Sequence, residues 1–277
     1  MPTVLIVWAM VQDPIPPMPN DPLASKDKWV GTVLPRGVLY QPYLADPRQA
    51  RSSVKFSIAG SDGSNAKIEN TFGLVRSIVR WQEGDEAYEI EFEAAAFSRF
   101  DTKEHWDLDA TDYRFGFPFV YRSGDLAYKF HLWHLTSHLG DEFIERTGRK
   151  RDSYHLNEAA FGVSWDPEES LRLYGEVGLA VYTGTATDSG RVQLGLEWVD
   201  VRAKGPWVPY AAMDLQSRNE IDWSVNRAIA AGFLVRVGEN ARALRFALEY
   251  YDGRDLQTQF LDQRERTLSL MLAAELF

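Results

Sequence analysis

Four residues in one short stretch have the types and spacing for acyl transfer. His134, Thr136, Ser137 and His138 lie in Trp133-His-Leu-Thr-Ser-His-Leu-Gly-Asp-Glu142. A histidine can serve as general base, and a hydroxyl two residues on along a strand shares its face and can serve as nucleophile. A third group from a neighbouring strand would orient the base. Asn157 and His155 are the candidates, because residues 151–165 fold back on 126–138 about a loop at 139–150. Thr136 has the parity of His134, whereas Ser137 points to the other face with Lys129, His131 and Trp133. Asp141 and Glu142 offer hard oxygen donors at the loop, as calcium prefers. Parity separates His131 from His134 and His138, so the three make no joint metal site. A structural reading uses the same residues: His134, His138 and Asp141 form a hydrogen-bond cluster that pins the loop. His105, beside Trp106 in another loop, has no evident partner.

The elements that position these groups are strands. From Arg51 onward the chain reads as twelve: about 51–61, 69–82, 87–100, 112–122, 126–138, 151–165, 171–184, 190–202, 207–218, 222–237, 241–253 and 264–277. Several alternate cleanly, as Tyr88, Ile90, Phe92, Ala94 and Ala96 do against Glu89, Glu91 and Glu93. Globular strands usually run about five or six residues, and these are roughly twice as long. Tight turns such as Glu83-Gly-Asp-Glu86 and Ser123-Gly-Asp125 alternate with longer loops. Long strands joined by short turns at one end and longer loops at the other are the habit of membrane barrels. The fold expected is all-β: a closed up-and-down antiparallel transmembrane β-barrel of about twelve strands. Trp81, Tyr88, Tyr121, Tyr128, Trp165 and Trp207 cluster beside the tight turns, where a membrane-interface girdle would sit. The opposite strand faces carry mixed charge and would fill a narrow lumen with ion pairs. Pro118 sits inside a strand, where a ladder donor is lost. The competing architecture is a soluble sandwich or lipocalin-like barrel acting as a binding module.

The last strand alternates from Leu268 to Leu276, and the chain stops on Phe277. Phe277 has the parity of Glu275 rather than of the Leu row, which makes it an assembly and interface signal for the barrel-assembly machinery. The net charge of −10 leaves no basic surface for phosphate backbones, so a nucleic-acid partner is not expected. The absence of cysteine suits an oxidising envelope compartment. Residues 1–50 read as a degenerate signal-like segment followed by a Pro-rich linker that packs under or inside the barrel of residues 51–277.

Tyr43-Leu-Ala-Asp-Pro47, the stretch Trp133–Glu142, Pro209-Tyr-Ala-Ala-Met-Asp-Leu-Gln-Ser217 and Leu248-Glu-Tyr-Tyr-Asp-Gly253 with Gln259-Phe260 resemble the bacterial family called domain of unknown function 1207. The resemblance spans about residue 40 to the C-terminus and implies an outer-membrane-type barrel with no established activity. It carries Thr136 where the family pattern has Ser. The His134/Thr136/Asn157 set is also similar to that of the outer-membrane phospholipase A family, which implies a lipid acyl hydrolase on the outer barrel wall, phospholipase-like or lipid A-deacylase-like. The readings that follow are an outer-membrane barrel of unknown activity with a plugged, charged lumen and membrane lipid around it, an acyl hydrolase, or a small-solute channel.

Overall fold

The computed structural model describes residues 29–58, 67–183, 190–237 and 241–274. Phe277 and the signal-like segment 1–11 lie outside them. The described residues form thirteen strands: β1 (Val30–Val33), β2 (Ser52–Ile58), β3 (Lys67–Glu83), β4 (Glu86–Asp101), β5 (Asp107–Ser123), β6 (Leu126–Leu139), β7 (Tyr154–Glu168), β8 (Leu171–Thr183), β9 (Gly190–Val199), β10 (Trp207–Arg218), β11 (Asn226–Val237), β12 (Ala241–Arg254) and β13 (Arg264–Ala274). Each strand from β3 to β12 pairs antiparallel with the next, and β2 bridges β13 to β3, so twelve strands close into a barrel. A row of partners followed round the wall does not return to its start. It leaves β3 at the turn end, at Glu83, and reaches β2 at its far end, Ile58, opposite Leu268. That stagger is the signature of tilted strands.

The thirteenth strand comes from the linker. Residues 29–34 lie in the Pro-free interval between Pro22 and Pro35, and β1 forms there. β1 pairs with Val79–Gln82 and β2 with Lys67–Thr71 on one edge of β3, so the two are halves of a single split strand. Between them residues 34–51 leave the wall and turn into the barrel. The turn is sharp: Leu34 takes a left-handed φ of 50°, uncommon for a branched side chain, and donates its N–H to Ile78 O. Gly37 follows at φ 66°, which glycine adopts without penalty.

The expected strand boundaries match within a few residues except at β5, which starts at Asp107 and shortens the loop expected over 101–111. The loop at 139–150 contains a helix, α1 (Asp141–Thr147), which strand periodicity could not announce. Pro118 acts as expected: the β4–β5 ladder is interrupted between Ile90/Phe119 and Glu93/Gly116, and the Phe92 and Phe117 rings bridge the gap 5.6 Å apart.

Polarity is inverted relative to a soluble domain. Outward-facing Phe72, Leu179 and Leu270 are 79, 67 and 59% exposed, whereas inward-facing Arg99, Glu89 and Glu91 are each 2% or less. Outward apolar residues recur at every second position on strand after strand. Near the tight turns Trp81, Tyr88, Tyr121 and Tyr128 occupy one row across β3–β6, with Tyr88 and Tyr121 stacked at 4.7 Å. Among the described residues no helix is long and apolar enough to cross a membrane; the statement does not bear on strands.

Candidate functional site

Among the described residues, polar groups gather in defined geometry on the outer wall at β6–β7 and in the barrel interior. On the wall, alternation sends His134, Thr136 and His138 outward in the row of Leu126, Phe130 and Leu132. On β7 the outward row includes His155 and Asn157. The register sets His134 opposite Asn157 and Thr136 opposite His155. His134 Nδ1 and Asn157 Oδ1 are 2.6 Å apart, which fixes the imidazole and leaves Nε2 as its second functional nitrogen. The Phe115 ring lies 5.3 Å from the imidazole. The β7–β8 ladder slips between Asn157 and Glu158, and such bulges re-aim side chains. His155 packs near Tyr182 and His138 near Tyr113.

The remaining predicted residues lie elsewhere. Ser137 faces the interior, as its parity requires, and donates its hydroxyl to Asp112, so it does not share a surface with His134. Asp141 and Glu142 open α1 on the exposed surface, and Asp141 pairs with Arg151 at 3.2 Å. Two exposed carboxylates, one of them already paired, are a poor donor set for calcium, which takes six to eight oxygens. Among the described residues no three acidic or histidine side chains converge on a metal position.

Inside, residues 34–51 meet side chains from all round the wall. Leu39 N–H donates to Glu89, Leu44 N–H to Glu197 at 2.6 Å, and Tyr43 Oη to Glu176. Arg172 and Arg245 donate to the Gln41 and Leu44 carbonyls. The Tyr43 ring stacks on Tyr174 at 3.9 Å. Buried charges are stable only when paired and hydrogen-bonded: Glu89 pairs with Arg80, Glu197 with Arg172, and Glu176 with Lys129 and Arg191. Arg99 alone meets Asp255, Glu69 and Glu265. A cavity of about 60 Å³ remains, bordered by Tyr43, Arg48, Glu93, Arg114, His131 and Trp133. Ligand pockets usually start near 300 Å³, so this one has room for waters only.

The chain belongs to the domain of unknown function 1207 family. The family model, described as a protein of unknown function, matches residues 20–273. No curated protein matches the chain.

The stretches that carry the family likeness meet at the inner segment and at the loop end of the barrel. From Tyr43–Pro47, Asp46 accepts from Gln216 of the Pro209–Ser217 stretch. Gln216 also bonds Asp214, which holds Tyr174 Oη at 2.6 Å. The Gln259 amide donates to Ser137 O and Asp152 O and accepts from Asp152 N–H, clamping β6 to the loop beyond α1. Phe260 packs edge-on against Phe143 of α1. Gly140 permits the closure, since a Cβ there would lie 1.8 Å from Leu108 O. Asp112, fully buried, gathers Arg48, Ser137 and Thr258. Asp112, Asp214 and Gln259 were not singled out from sequence as site residues. Two of the three lie within the family stretches, which was the only signal available.

Proposed function

We propose that this protein is an integral barrel of the bacterial outer membrane whose lumen is plugged by residues 34–51. The inverted polarity of the wall carries this reading: alternating exposed apolar side chains outside, and inside buried charged side chains, among them the ion pairs of Arg99 with Asp255 and Lys129 with Glu176. An apolar band bordered by an aromatic row on the turn side is what a bilayer solvates. The plugged lumen disfavours the channel reading, because the inner segment is bonded to β3, β4, β8, β9 and β12. The test has two parts. Native protein is expected to need detergent for extraction and to show no steady conductance in planar bilayers. Release by salt or carbonate washing without detergent, or regular ohmic steps, overturns it. As for any barrel on this route, the barrel-assembly machinery is the partner in biogenesis.

A second reading, lipid acyl hydrolysis on the outer wall, has one observation in its favour: the 2.6 Å His134–Asn157 pair beside Thr136. On β6, His134 lies six residues beyond Tyr128 of the aromatic row. At about 3.3 Å per residue and a tilt near 45° this is roughly 14 Å of height. Thr136 and His138 lie higher still, toward the far edge of a band about 25 Å tall, where ester groups of the opposite leaflet reside. In this reading His134 Nε2 takes the Thr136 hydroxyl proton as Oγ1 attacks the ester carbonyl. The C–O bond to the leaving alcohol breaks, and that alcohol receives the proton. Water, deprotonated by the same nitrogen, then releases the acid and restores Thr136. Asn157 holds Nδ1, and His155 stands beside Thr136 as the alternative orienter. Calcium at Asp141 and Glu142 is a separate arm of the assay: turnover with and without added calcium. No ester release from phospholipid or lipid A by detergent-purified protein sinks the reading, as does unchanged release by His134→Ala.

A further inference from the structure

On the far side of the barrel from His134, three arginines share one carboxylate on the outer wall. Asp252 of β12 stands in register between Arg227 of β11 and Arg266 of β13. Arg264 is one outward step higher on β13. The three guanidinium groups lie 3.9, 3.6 and 3.5 Å from Asp252 in the order Arg227, Arg266, Arg264. Their side chains are more than half exposed, whereas Asp252 is largely covered. One carboxylate has about four acceptor sites, and each guanidinium brings five donors. The cluster therefore has donors to spare and a local charge of plus two in a chain whose net charge is −10.

Its position selects the ligand. The next outward step toward the turns is apolar on every strand: Ile229, Tyr250 and Leu268. On β12 and β13 the cluster thus marks the loop-side border of the exposed apolar rows, while beside β11 the exposed Val225 and Trp223 continue past Arg227. A phosphate attached to an acyl lipid reaches that border with its chains lying along the Ile229, Leu268 and Leu270 surface. Guanidinium groups bind phosphate oxygens in pairs, with shape as well as charge matched.

We infer that Arg227, Arg264 and Arg266 bind the phosphorylated headgroup of a membrane lipid on the loop side of the barrel. The inference rests on the membrane reading above. The test uses detergent-purified full-length protein and native mass spectrometry with three probes: diphosphoryl lipid A, its dephosphorylated form, and inorganic phosphate. Wild type is expected to retain the phosphorylated lipid about ten- to a hundredfold better than the dephosphorylated one, at roughly the strength juxtamembrane arginines supply. The R227Q/R264Q/R266Q variant is expected to lose that preference while keeping the heat-modifiable mobility of a folded barrel. D252N is expected to strengthen it. Equal retention of both lipids by wild type, or an unchanged preference in the triple variant, overturns the inference. Binding of inorganic phosphate that displaces the lipid would assign the cluster to a free ion and overturn the lipid source. A protein that stays dispersed without detergent overturns the membrane reading as well, whereas a detergent-requiring barrel without phosphate preference overturns this inference alone.

Discussion

Arg48 of the inner segment donates to the buried carboxylate of Asp112 on β5 at 2.7 Å. The same carboxylate takes the Ser137 hydroxyl and both the N–H and the hydroxyl of Thr258. One side chain therefore ties together the segment inside the barrel, two wall strands and, at the loop end, a 3-10 turn over Thr258–Phe260. Removing one partner of a buried pair leaves the other charge uncompensated, which costs about 3–5 kcal/mol. Asp112→Ala is expected to lower the unfolding midpoint in detergent accordingly, whereas Ser137→Ala removes one neutral donor and is expected to cost about 1 kcal/mol. Equal midpoints for wild type and Asp112→Ala would deny the hub.

The inner segment should be separable from the wall. The barrel closes through β2, β3 and β13 without residues 36–50, so replacing them with a Gly/Ser linker is expected to leave a folded barrel. It should also admit ions. Planar-bilayer recording is expected to give discrete openings for this variant and none for wild type. A folded variant that stays silent would mean that the wall side chains alone fill the lumen.

Much of the wall was legible because alternation is a local property. Tyr88 to Ala96 and Leu268 to Leu272 declare their faces from type alone, and the register of His134 with Asn157 follows from folding one strand on the next. The interior was not legible. Asp112 reads as one more charge on a strand, and its partners Arg48 and Thr258 stand 64 and 146 residues away. α1 escaped because seven residues give too little periodicity to distinguish helix from loop. The split strand β1/β2 escaped because no local pattern says that two short fragments with residues 34–51 between them continue one line.

The His134–Asn157 pair separates hydrolysis from structure. If the outer wall hydrolyses esters, His134→Ala and Thr136→Ala are each expected to reduce turnover at least about a hundredfold, the usual range for loss of a base or nucleophile. Asn157→Ala, which frees the ring, should reduce it less. Thr136→Ser should preserve or raise it, and Ser137→Ala should leave it unchanged because that hydroxyl faces Asp112. Turnover by the purified variants on a phospholipid ester in detergent decides among these.

Gly140 makes a sterically defined prediction at the loop end. Its φ of −65° is open to any residue, so backbone strain is not at issue. A Cβ, however, would lie 1.8 Å from Leu108 O, which cannot move without displacing the β5 backbone. Overpacking of this kind costs roughly 1–3 kcal/mol. Gly140→Ala is expected to loosen α1 and its Phe143–Phe260 contact, read as faster proteolysis within 140–153 at unchanged barrel mobility.

Leu270 tests the solvent on the outer wall. It is 59% exposed in the middle of the β13 row, flanked by Leu248 and Phe56. In water, exchanging an exposed leucine for arginine changes stability by only about 0.5 kcal/mol. In a bilayer the same exchange near the midplane costs about 2–4 kcal/mol, falling toward zero at the interface. Leu270→Arg is therefore expected to destabilise the barrel in lipid vesicles by that larger amount. Leu268→Arg, one step nearer the arginine border, should cost less. Urea unfolding in vesicles measures both. A pair of near-zero values would mean that the wall faces water, and the gradient between the two positions would place the border of the apolar band relative to Arg266.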